Sequence, residues 1–322
     1  MKQYTAQSFW VSKKKGIIKN ETVKTTLDKD EILIKTSYTG ISYGTEKIVF
    51  DSEVPSNQYN FMRAPHQMGE FNSSVKYGYL NVGKIMEGPK NMLNKSVYTM
   101  YPHQSVYVIK KTLATLIPDN IPIKRALLTA NMETAINAIW DSQPTIGDKT
   151  YVIGAGIVGI LMAYVLSKTF GIDVIIIDKD SKKKALCKSL GIKFKKDLHC
   201  IDNPNIIYEC SGNINVLNEL ANKSVLETKI FILSWYGKQQ SKLKMGENCF
   251  SRRLELIFSQ VGNITSAQSK KWNNLTRRAL ALNLLNDDKL DILIDKKEIL
   301  LKDLPLFFKK GNPKGLCKVV RY

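Results

Sequence analysis

Three glycines in one short apolar stretch have the spacing of a site that binds a diphosphate group. Residues 154–159 read "GAGIVG", with a strand-like apolar segment before them and a helix-like apolar segment after them. In this context Gly154 permits a tight turn, Gly156 lets a pyrophosphate approach the backbone, and Gly159 lets the helix lie close to the sheet. We therefore predict that this stretch binds a dinucleotide cofactor.

The residues that follow indicate how the cofactor is held and which cofactor it is. Ile157 and Val158 open the helix and supply unpaired N–H groups at the positive end of its dipole. Asp178 closes the next strand-like segment about twenty residues later, where a carboxylate accepts hydrogen bonds from ribose hydroxyls. A 2′-phosphate would meet its negative charge, so the sequence favours NAD over NADP. Lys179, also a candidate cofactor-binding residue, and the lysines at 182–184 lie close by and lessen that preference.

Segments of two kinds alternate around the glycines and must position them. The strand-like segments are "TYVIG", "DVIIID", "NIIYEC" and "KIFILSW", and the helix-like segments are "IVGILMAYVLSKTFG", "SKKKALCKSLG" and "INVLNELANKS". This βαβα order is typical of a doubly wound parallel sheet. Residues 1–120 instead read as short β segments separated by Gly, Pro and Asn. We predict an α/β fold with a β-rich domain in residues 1–120, a dinucleotide-binding domain in 121–264, and a final segment, 265–322, that returns to the first domain.

Composition and charge exclude several other classes of protein. The 322-residue chain has a formal net charge of +19, but its lysines are spread along the whole sequence and form no stripe interleaved with aromatics, so we expect no nucleic-acid partner. The longest apolar stretch, residues 151–167, is slightly short for a membrane span and contains the glycines, so we expect no membrane association. The five cysteines form no CxxC pair and the N-terminus has no signal-peptide pattern, which predicts a cytoplasmic protein with free thiols.

The order of these parts resembles the medium-chain dehydrogenase/reductases, the family of zinc alcohol dehydrogenase. "TGISYGTE" and "YGYLNVGKIMEG" fall where zinc members carry GIC-H-T-D and GHE-xxG-x-V. The resemblance spans nearly the whole chain and implies a Rossmann sheet, a GroES-like β-rich catalytic domain, and a homodimer formed through the Rossmann sheet. It also implies hydride transfer between nicotinamide and a small alcohol or carbonyl substrate. "GIS-x-GTE" in particular is similar to a zinc-lacking branch that includes bacteriochlorophyllide dehydrogenase.

The same resemblance shows which zinc ligands this chain lacks. Ser42 stands where zinc members have Cys, and Tyr79 and Leu80 stand where they have His and Glu. A hydroxyl, a phenol and an isobutyl group cannot form the sulfur, nitrogen and oxygen shell that zinc requires. The four-cysteine lobe that holds a structural zinc in many members is also absent. We therefore predict that the protein holds no zinc.

Without zinc, hydrogen bonds or a general acid or base must manage the substrate's hydroxyl proton. The resemblance places the catalytic candidates in the loop that lost its ligand, at Ser42, Thr45 and Glu46, and at Tyr79. His103 in "YPHQ" is the only histidine in a motif-like setting. Each candidate also has a structural interpretation. Ser42 would fill the space of the lost thiolate, Thr45 and Glu46 would cap a helix, Tyr79 would pack in a wall, and His103 would be a hydrogen-bonded core residue.

Two further strand ends complete the predicted cofactor site. The resemblance implies that Ser211 and Gly212 in "ECSG" lie beside the adenosine half, and that Ser234 and Trp235 in "LSWYG" lie near the nicotinamide. Trp235 is equally consistent with a buried aromatic residue at a domain seam. Two other functions stay open. One is an NADPH-dependent quinone or enoyl reductase, which Asp178 argues against, and the other is a dinucleotide-responsive binding protein that does no chemistry.

Overall fold

The computed structural model of this protein describes residues 3–24, 26–312 and 314–322. Its contacts divide the chain into two compact units. The first contains the residues up to Ala130 and Arg278–Tyr322, and the second is Asn131–Arg277. The first boundary lies beyond residue 120, where the sequence analysis ends the first domain. The reason is that Arg125 belongs with the first unit, where its guanidinium donates to both carboxylate oxygens of Asp291 at 2.7 and 2.9 Å.

The second boundary lies beyond residue 264, where the sequence analysis ends the second domain. The residues just after that position pack within the second unit. The Trp272 ring centroid is 5.2 Å from that of Trp140, and the Arg277 guanidinium lies 3.3 Å from the buried carboxylate of Glu133. The chain therefore leaves the second unit only after these contacts are made.

The elements are numbered along the chain. The strands are β1 (Tyr4–Ser12), β2 (Lys15–Val23), β3 (Glu31–Ile41), β4 (Met68–Gly69), β5 (Val75–Lys76), β6 (Asn81–Glu87), β7 (Ser96–Thr99), β8 (Val106–Lys110), β9 (Thr115–Leu116), β10 (Thr150–Ile153), β11 (Val174–Ile177), β12 (Lys193–Lys195), β13 (Ile206–Glu209), β14 (Lys229–Ile232), β15 (Glu255–Phe258), β16 (Ile299–Leu300) and β17 (Lys318–Arg321). The α-helices are α1 (Tyr43–Phe50), α2 (Thr129–Ser142), α3 (Ile157–Thr169), α4 (Lys183–Ser189), α5 (Val216–Lys223), α6 (Asn274–Leu284) and α7 (Leu304–Lys310). None of the helices in the described residues has the length and apolar character that a membrane crossing requires.

The first unit is β-rich and is assembled from both ends of the chain. One sheet has the order β16-β17-β3-β6-β7-β9, with β8 also paired to β3, and a second sheet has the order β2-β1-β5-β4. The C-terminal strand β17 pairs antiparallel with β3, so that Val319 lies opposite Gly40. Strand β3 leads directly into α1, and the segment that contains Tyr79 leads into β6. These two connections place the candidate catalytic residues.

The second unit is built on one parallel sheet with the order β12-β11-β10-β13-β14-β15. Counted from β10, this is the strand order 3-2-1-4-5-6 of a doubly wound dinucleotide-binding fold. The central strands β10 and β11 are buried except for the half-buried Ile175, and they are rich in β-branched residues, as parallel strands covered on both faces require. The predicted fold class, a Rossmann sheet together with a β-rich domain, is confirmed.

Helix α3 lies unusually close to the strand that precedes it. Residues 159–166 of α3 are all buried, so the helix is apolar on every side. A Cβ on Gly159 would lie 1.9 Å from the carbonyl oxygen of Gly154 and 3.3 Å from Cγ1 of Val152. Only a residue without a side chain permits this approach, which is the role that the sequence pattern predicts for Gly159.

We expect Gly159→Ala to destabilise the protein. The new methyl group would overlap the backbone of the preceding loop, which cannot move as a flexible side chain would, and overpacking of this kind costs about 1–3 kcal/mol or more. Chemical denaturation of the purified variant measures the free energy of unfolding. Gly246→Ala is the matched control because a Cβ there would meet no atom within 4 Å. Equal stability of the two variants would contradict the close packing.

Candidate functional site

The glycine loop of the second unit has the backbone that a diphosphate site needs. Gly154 has a φ of +101°, and a Cβ there would lie 2.8 Å from the carbonyl oxygen of Cys210 and 2.7 Å from Cα of Ser211. Gly156 differs from it, since its backbone is extended and a Cβ would meet no atom within 4 Å. Two of the three glycines are therefore required by the protein's own packing. The third stands beside open space.

The open space lies at the N-terminus of α3. Gly156 is the N-cap residue, and within the described residues no side chain caps the helix. Ile157 and Val158 are half-buried, and they follow in the first turn, where N–H groups have no partner inside the helix. A helix of this length presents a partial positive charge at this end. An anionic group at this point would meet that charge, and its placement here stays a prediction.

Asp178 lies beside the same loop and is already engaged in hydrogen bonds. Its Oδ2 accepts from the N–H of Ala155 at 2.8 Å and from Nζ of Lys183 at 2.8 Å, and its Oδ1 accepts from the N–H of Asp180 at 2.9 Å. Burial alone would raise the pKa of Asp178, but these three donors outweigh it and lower the pKa below its ordinary value. Lys179 is exposed. The sequence analysis did not single out Lys183 from its neighbouring lysines.

A buried carboxylate organises the other predicted cofactor-binding residues. Glu209, at the end of β13, is fully buried, and it accepts from the N–H of Ser211 at 2.6 Å and from the phenol of Tyr236 at 2.6 Å. Ser234 accepts from the N–H of Gly212 at 2.9 Å. Burial, and then the Glu209 carboxylate, raise the pKa of Tyr236, so its phenol remains the donor. These bonds bring the ends of β13 and β14 together.

Sequence reasoning named the two serines and Gly212 but missed Glu209. The signal was present in "ECSG", because an acidic residue directly after a run of buried apolar residues needs a partner. Trp235, the other predicted residue of this segment, is half-buried. Its contact with a nicotinamide stays a prediction.

Hydroxyl groups cluster in the first unit where β3 enters α1. Ser42 is the N-cap residue of α1 and Thr45 lies in the first turn, so the helix begins earlier than a Thr45 cap would place it. The phenol of Tyr79 forms hydrogen bonds with the side chains of both residues. Burial raises the pKa of Tyr79 to about 12, so at neutral pH the phenol keeps its proton. All three side chains are half-buried.

Glu46 and His103 form a buried pair behind this hydroxyl cluster. Nε2 of His103 lies 2.9 Å from Oε2 of Glu46, and the two side chains are only 1% and 4% exposed. Oε1 of Glu46 accepts from the N–H of Ser42 at 2.7 Å. With the carboxylate as acceptor, Nε2 carries the hydrogen, and Nδ1 on the other side of the ring lies 2.7 Å from the hydroxyl oxygen of Thr39. The hydroxyl of Tyr322 lies 3.2 Å from that of Thr39 and extends the chain of hydrogen bonds.

The structure thus brings the five catalytic candidates together but in two layers. Ser42, Thr45 and Tyr79 are half-buried, and the Glu46–His103 pair is enclosed behind them. Gly78 makes room for the histidine, because its φ is +118° and a Cβ would lie 2.9 Å from Cδ2 of His103. Sequence reasoning missed Thr39 and Tyr322. No sequence pattern links them to His103, since they meet only when β17 pairs with β3.

The residues described by the structure include no group of three or more His, Cys, Asp and Glu side chains that could hold a metal ion. At the positions where zinc members have ligands, Ser42 and Tyr79 form the hydroxyl cluster and Leu80 is buried as an apolar residue. A Cβ on Gly40 would lie 3.2 Å from a methyl group of Leu80, so that side chain packs into the core of the unit.

Comparisons with known proteins support this description of the fold. No family model matches the chain. A curated relative, an uncharacterised zinc-type alcohol dehydrogenase-like protein of Haemophilus influenzae, is 30% identical over 121 residues, which cover 34% of this chain and 35% of that protein. The match thus spans about a third of the length of that relative.

Two solved structures extend the likeness to the whole chain. A putative zinc-binding dehydrogenase from Sinorhizobium meliloti, bound to NADP, has a TM-score of 0.77 at 14% identity and covers 99% of this chain and 100% of its own. A short chain alcohol dehydrogenase from Escherichia coli, complexed with NADH, has a TM-score of 0.74 at 14% identity and covers 99% of each chain. The predicted resemblance to medium-chain dehydrogenase/reductases is confirmed in the fold. The zinc-lacking branch stays a prediction.

The phenol of Tyr79 is expected to ionise only well above the ordinary tyrosine pKa of about 10. Because burial raises its pKa to about 12, it stabilises the fold fully below about pH 10, and that contribution is lost as the pH rises towards the folded value. The ultraviolet absorbance of tyrosinate, measured for the wild type and for Tyr79→Phe, isolates this group by difference. A difference that titrates at or below pH 10 would contradict the described environment.

Proposed function

We propose that this protein is an NAD(P)-dependent oxidoreductase of the alcohol dehydrogenase type, which transfers a hydride between nicotinamide and a small alcohol or carbonyl substrate. The observation that carries the proposal is the open backbone at Gly156. It lies at the N-terminus of α3, between two glycines that the packing of the loop itself requires. The curated relative and the two solved structures, all with dehydrogenase names, support the same class of activity.

The residues of the second unit fit a dinucleotide. The first turn of α3 would hold the pyrophosphate, Asp178 would meet the adenosine ribose, and the linked ends of β13 and β14 would line the remaining part. When bound, the nicotinamide ring supplies the carbon that gives or takes the hydride. The chain's own side chains must then manage the proton and the developing charge on the substrate oxygen.

The hydroxyl cluster supplies this second part of the chemistry. The phenol of Tyr79 is protonated at neutral pH, so it can donate a hydrogen bond to a carbonyl or alkoxide oxygen, with Ser42 and Thr45 fixing its orientation. In zinc members a metal stabilises that oxygen as a Lewis acid. We propose that three hydroxyl groups do so in this protein, with Tyr79 as the catalytic residue.

Glu46 and His103 are proposed as positioning residues. Both are enclosed, so a substrate of ordinary size does not touch them. The Glu46 carboxylate fixes the N–H of Ser42 by a charge-assisted hydrogen bond, and His103 holds the other carboxylate oxygen. Removing either partner would leave a buried polar group unsatisfied and would loosen the start of α1.

An NADPH-dependent quinone or enoyl reductase is a second candidate function. Its main difficulty is the negative charge that Asp178 would present to a 2′-phosphate. The ion pair between Lys183 and Asp178, with Nζ 2.8 Å from Oδ2, lessens that difficulty. A hydride acceptor with an activated C=C bond therefore remains a candidate substrate beside a carbonyl compound.

The further expectations about partners and location are proposals as well. We propose a small-molecule substrate and a cytoplasmic protein, with neither nucleic acid nor membrane as a partner. The support is the scattered distribution of the lysines along the sequence, since electrostatic footprints for nucleic acid are concentrated on one face.

Activity without zinc is expected, because the side chains of Ser42, Tyr79 and Leu80 offer no ligand that zinc prefers. Elemental analysis of the purified protein should find well under one zinc per chain, and a strong chelator should leave NADH oxidation unchanged. One tightly held zinc per chain, or loss of activity restored by added zinc, would contradict the proposal.

A homodimer is expected to form through the edge of the parallel sheet. Strand β15 pairs only with β14 among the described residues, and the side chain of Phe258 on it is 69% exposed. A second copy of β15 would satisfy the free backbone groups of this edge strand. Light scattering should give twice the chain mass for the wild type, and Phe258→Asp should shift it towards the monomer. A monomeric wild type would contradict the proposed homodimer.

Gly156→Val tests the observation on which the proposed function depends. The valine meets open space in the protein, so the melting temperature should change little, whereas its side chain occupies the volume that a pyrophosphate needs. A steric block of about 3 kcal/mol weakens binding about a hundredfold. Titration of NADH fluorescence measures this loss, with Gly246→Val as the matched control. A wild-type protein that binds neither NADH nor NADPH would overturn the proposed function.

A further inference from the structure

We propose that Lys183 makes this protein a dual-cofactor enzyme: it neutralises the Asp178 carboxylate and offers its ammonium group to the 2′-phosphate of NADPH. The inference rests on the proposed function, since it requires that Asp178 meets the adenosine ribose. It changes the expectation from the sequence, where the Asp178 carboxylate favours NAD and the nearby lysines only lessen that preference.

Most of the acceptor positions of Asp178 are already occupied by hydrogen-bond donors of the protein. An ionised carboxylate has about four lone-pair positions. Ala155 N–H and Lys183 Nζ occupy both positions of Oδ2, and the Asp180 N–H occupies one of Oδ1. One position is left, yet a ribose 2′,3′-diol brings two donors. Full binding of the diol of NADH therefore requires Lys183 to leave, because the two backbone donors are fixed by the fold.

The Asp178–Lys183 ion pair also reduces the negative charge that a 2′-phosphate would meet. The side chains of Asp178 and Lys183 are 12% and 20% exposed, so their charges offset each other in a partly dehydrated setting. The neighbouring Asp180 adds a second carboxylate, which an adjacent lysine offsets. Lys179 is exposed directly beside Asp178, and the carbonyl oxygen of Lys195 accepts from the Asp178 N–H at 3.2 Å, which places β12 alongside. A 2′-phosphate thus meets no net negative charge here.

Lys183 differs from its neighbours in the run at 182–184 in its burial and in its ion pair. Lys183 is half-buried at the start of α4, and its ammonium group lies 2.8 Å from the carboxylate. Lys184 is exposed, and its side chain forms no ion pair in the part of the chain that the structure describes. The long, flexible stem of Lys183 allows its ammonium group to exchange one anionic partner for another.

Exchange of Lys183 between Asp178 and a 2′-phosphate affects the binding of NADH and NADPH in opposite directions. With NADH, Lys183 competes with the ribose hydroxyls for Asp178 and lowers the affinity. With NADPH, the same ammonium group gains a charge-assisted hydrogen bond to the phosphate, which is stronger than a neutral one. Because Lys183 lowers the affinity for NADH and raises that for NADPH, the two affinities become more nearly equal.

The test compares NADH and NADPH dissociation constants, measured by fluorescence titration, for the wild type, Lys183→Ala and the matched control Lys184→Ala. We expect wild-type constants within about tenfold of each other. Lys183→Ala should weaken NADPH about tenfold or more, while NADH binds equally well or more tightly. Lys184→Ala should leave the ratio of the two constants unchanged. Raising the salt concentration should weaken NADPH binding more than NADH binding in the wild type. This difference between the two cofactors should be smaller in Lys183→Ala.

Asp178→Asn is the reciprocal variant and keeps the proposal testable if Lys183→Ala melts at a much lower temperature. It should raise the NADPH affinity relative to that for NADH. Three results would overturn the proposal: a wild-type preference for NADH above a hundredfold, an unchanged ratio in both variants, or an equal change in Lys184→Ala. A wild type that binds neither cofactor would instead overturn the proposed function itself, so the two failures are distinct.

Discussion

The contact between the backbone of Gly159 and the carbonyl oxygen of Gly154 is the constraint on which the proposed dinucleotide site depends. A Cβ at this point would lie 1.9 Å from that oxygen, so α3 can approach the loop only because none is there. The approach fixes where the first turn of α3 begins. It thereby leaves Gly156 as the point at which the peptide backbone is bare and faces open space.

Carboxylates then hold the loops that carry the candidate residues, and they do so in both units by the same means. Each accepts a hydrogen bond from a backbone N–H of such a loop: Glu46 from Ser42, Asp178 from Ala155 and Glu209 from Ser211, at 2.7, 2.8 and 2.6 Å. Charge-assisted bonds of this kind are about twice as strong as neutral ones. The loops that carry the candidate residues are therefore fixed through their main chains.

The sequence predicts the parallel sheet and the glycine loop because their signals are local. Alternating strands and helices and a GxGxxG turn depend on residues close together in the chain, and the structure confirms them. The layering of the catalytic candidates depends instead on distant contacts. Nothing near His103 indicates that it is enclosed between Glu46 and Thr39, because those neighbours come from β3 and α1. Burial, which decides whether a carboxylate meets a substrate or only positions a loop, is not visible in a motif.

The pairing of β17 with β3 also affects how the protein is made. The second unit is one continuous segment, so it can fold on the ribosome while the first unit still lacks a strand. Until β17 is synthesised, the end of β3 at residues 38–41 lacks this partner, while residues 31–35 pair with β8. The unpaired N–H and C=O groups of an open strand end are a template for association with other chains. Synthesis of this protein therefore includes an interval in which a finished second unit is attached to an unfinished, aggregation-prone sheet.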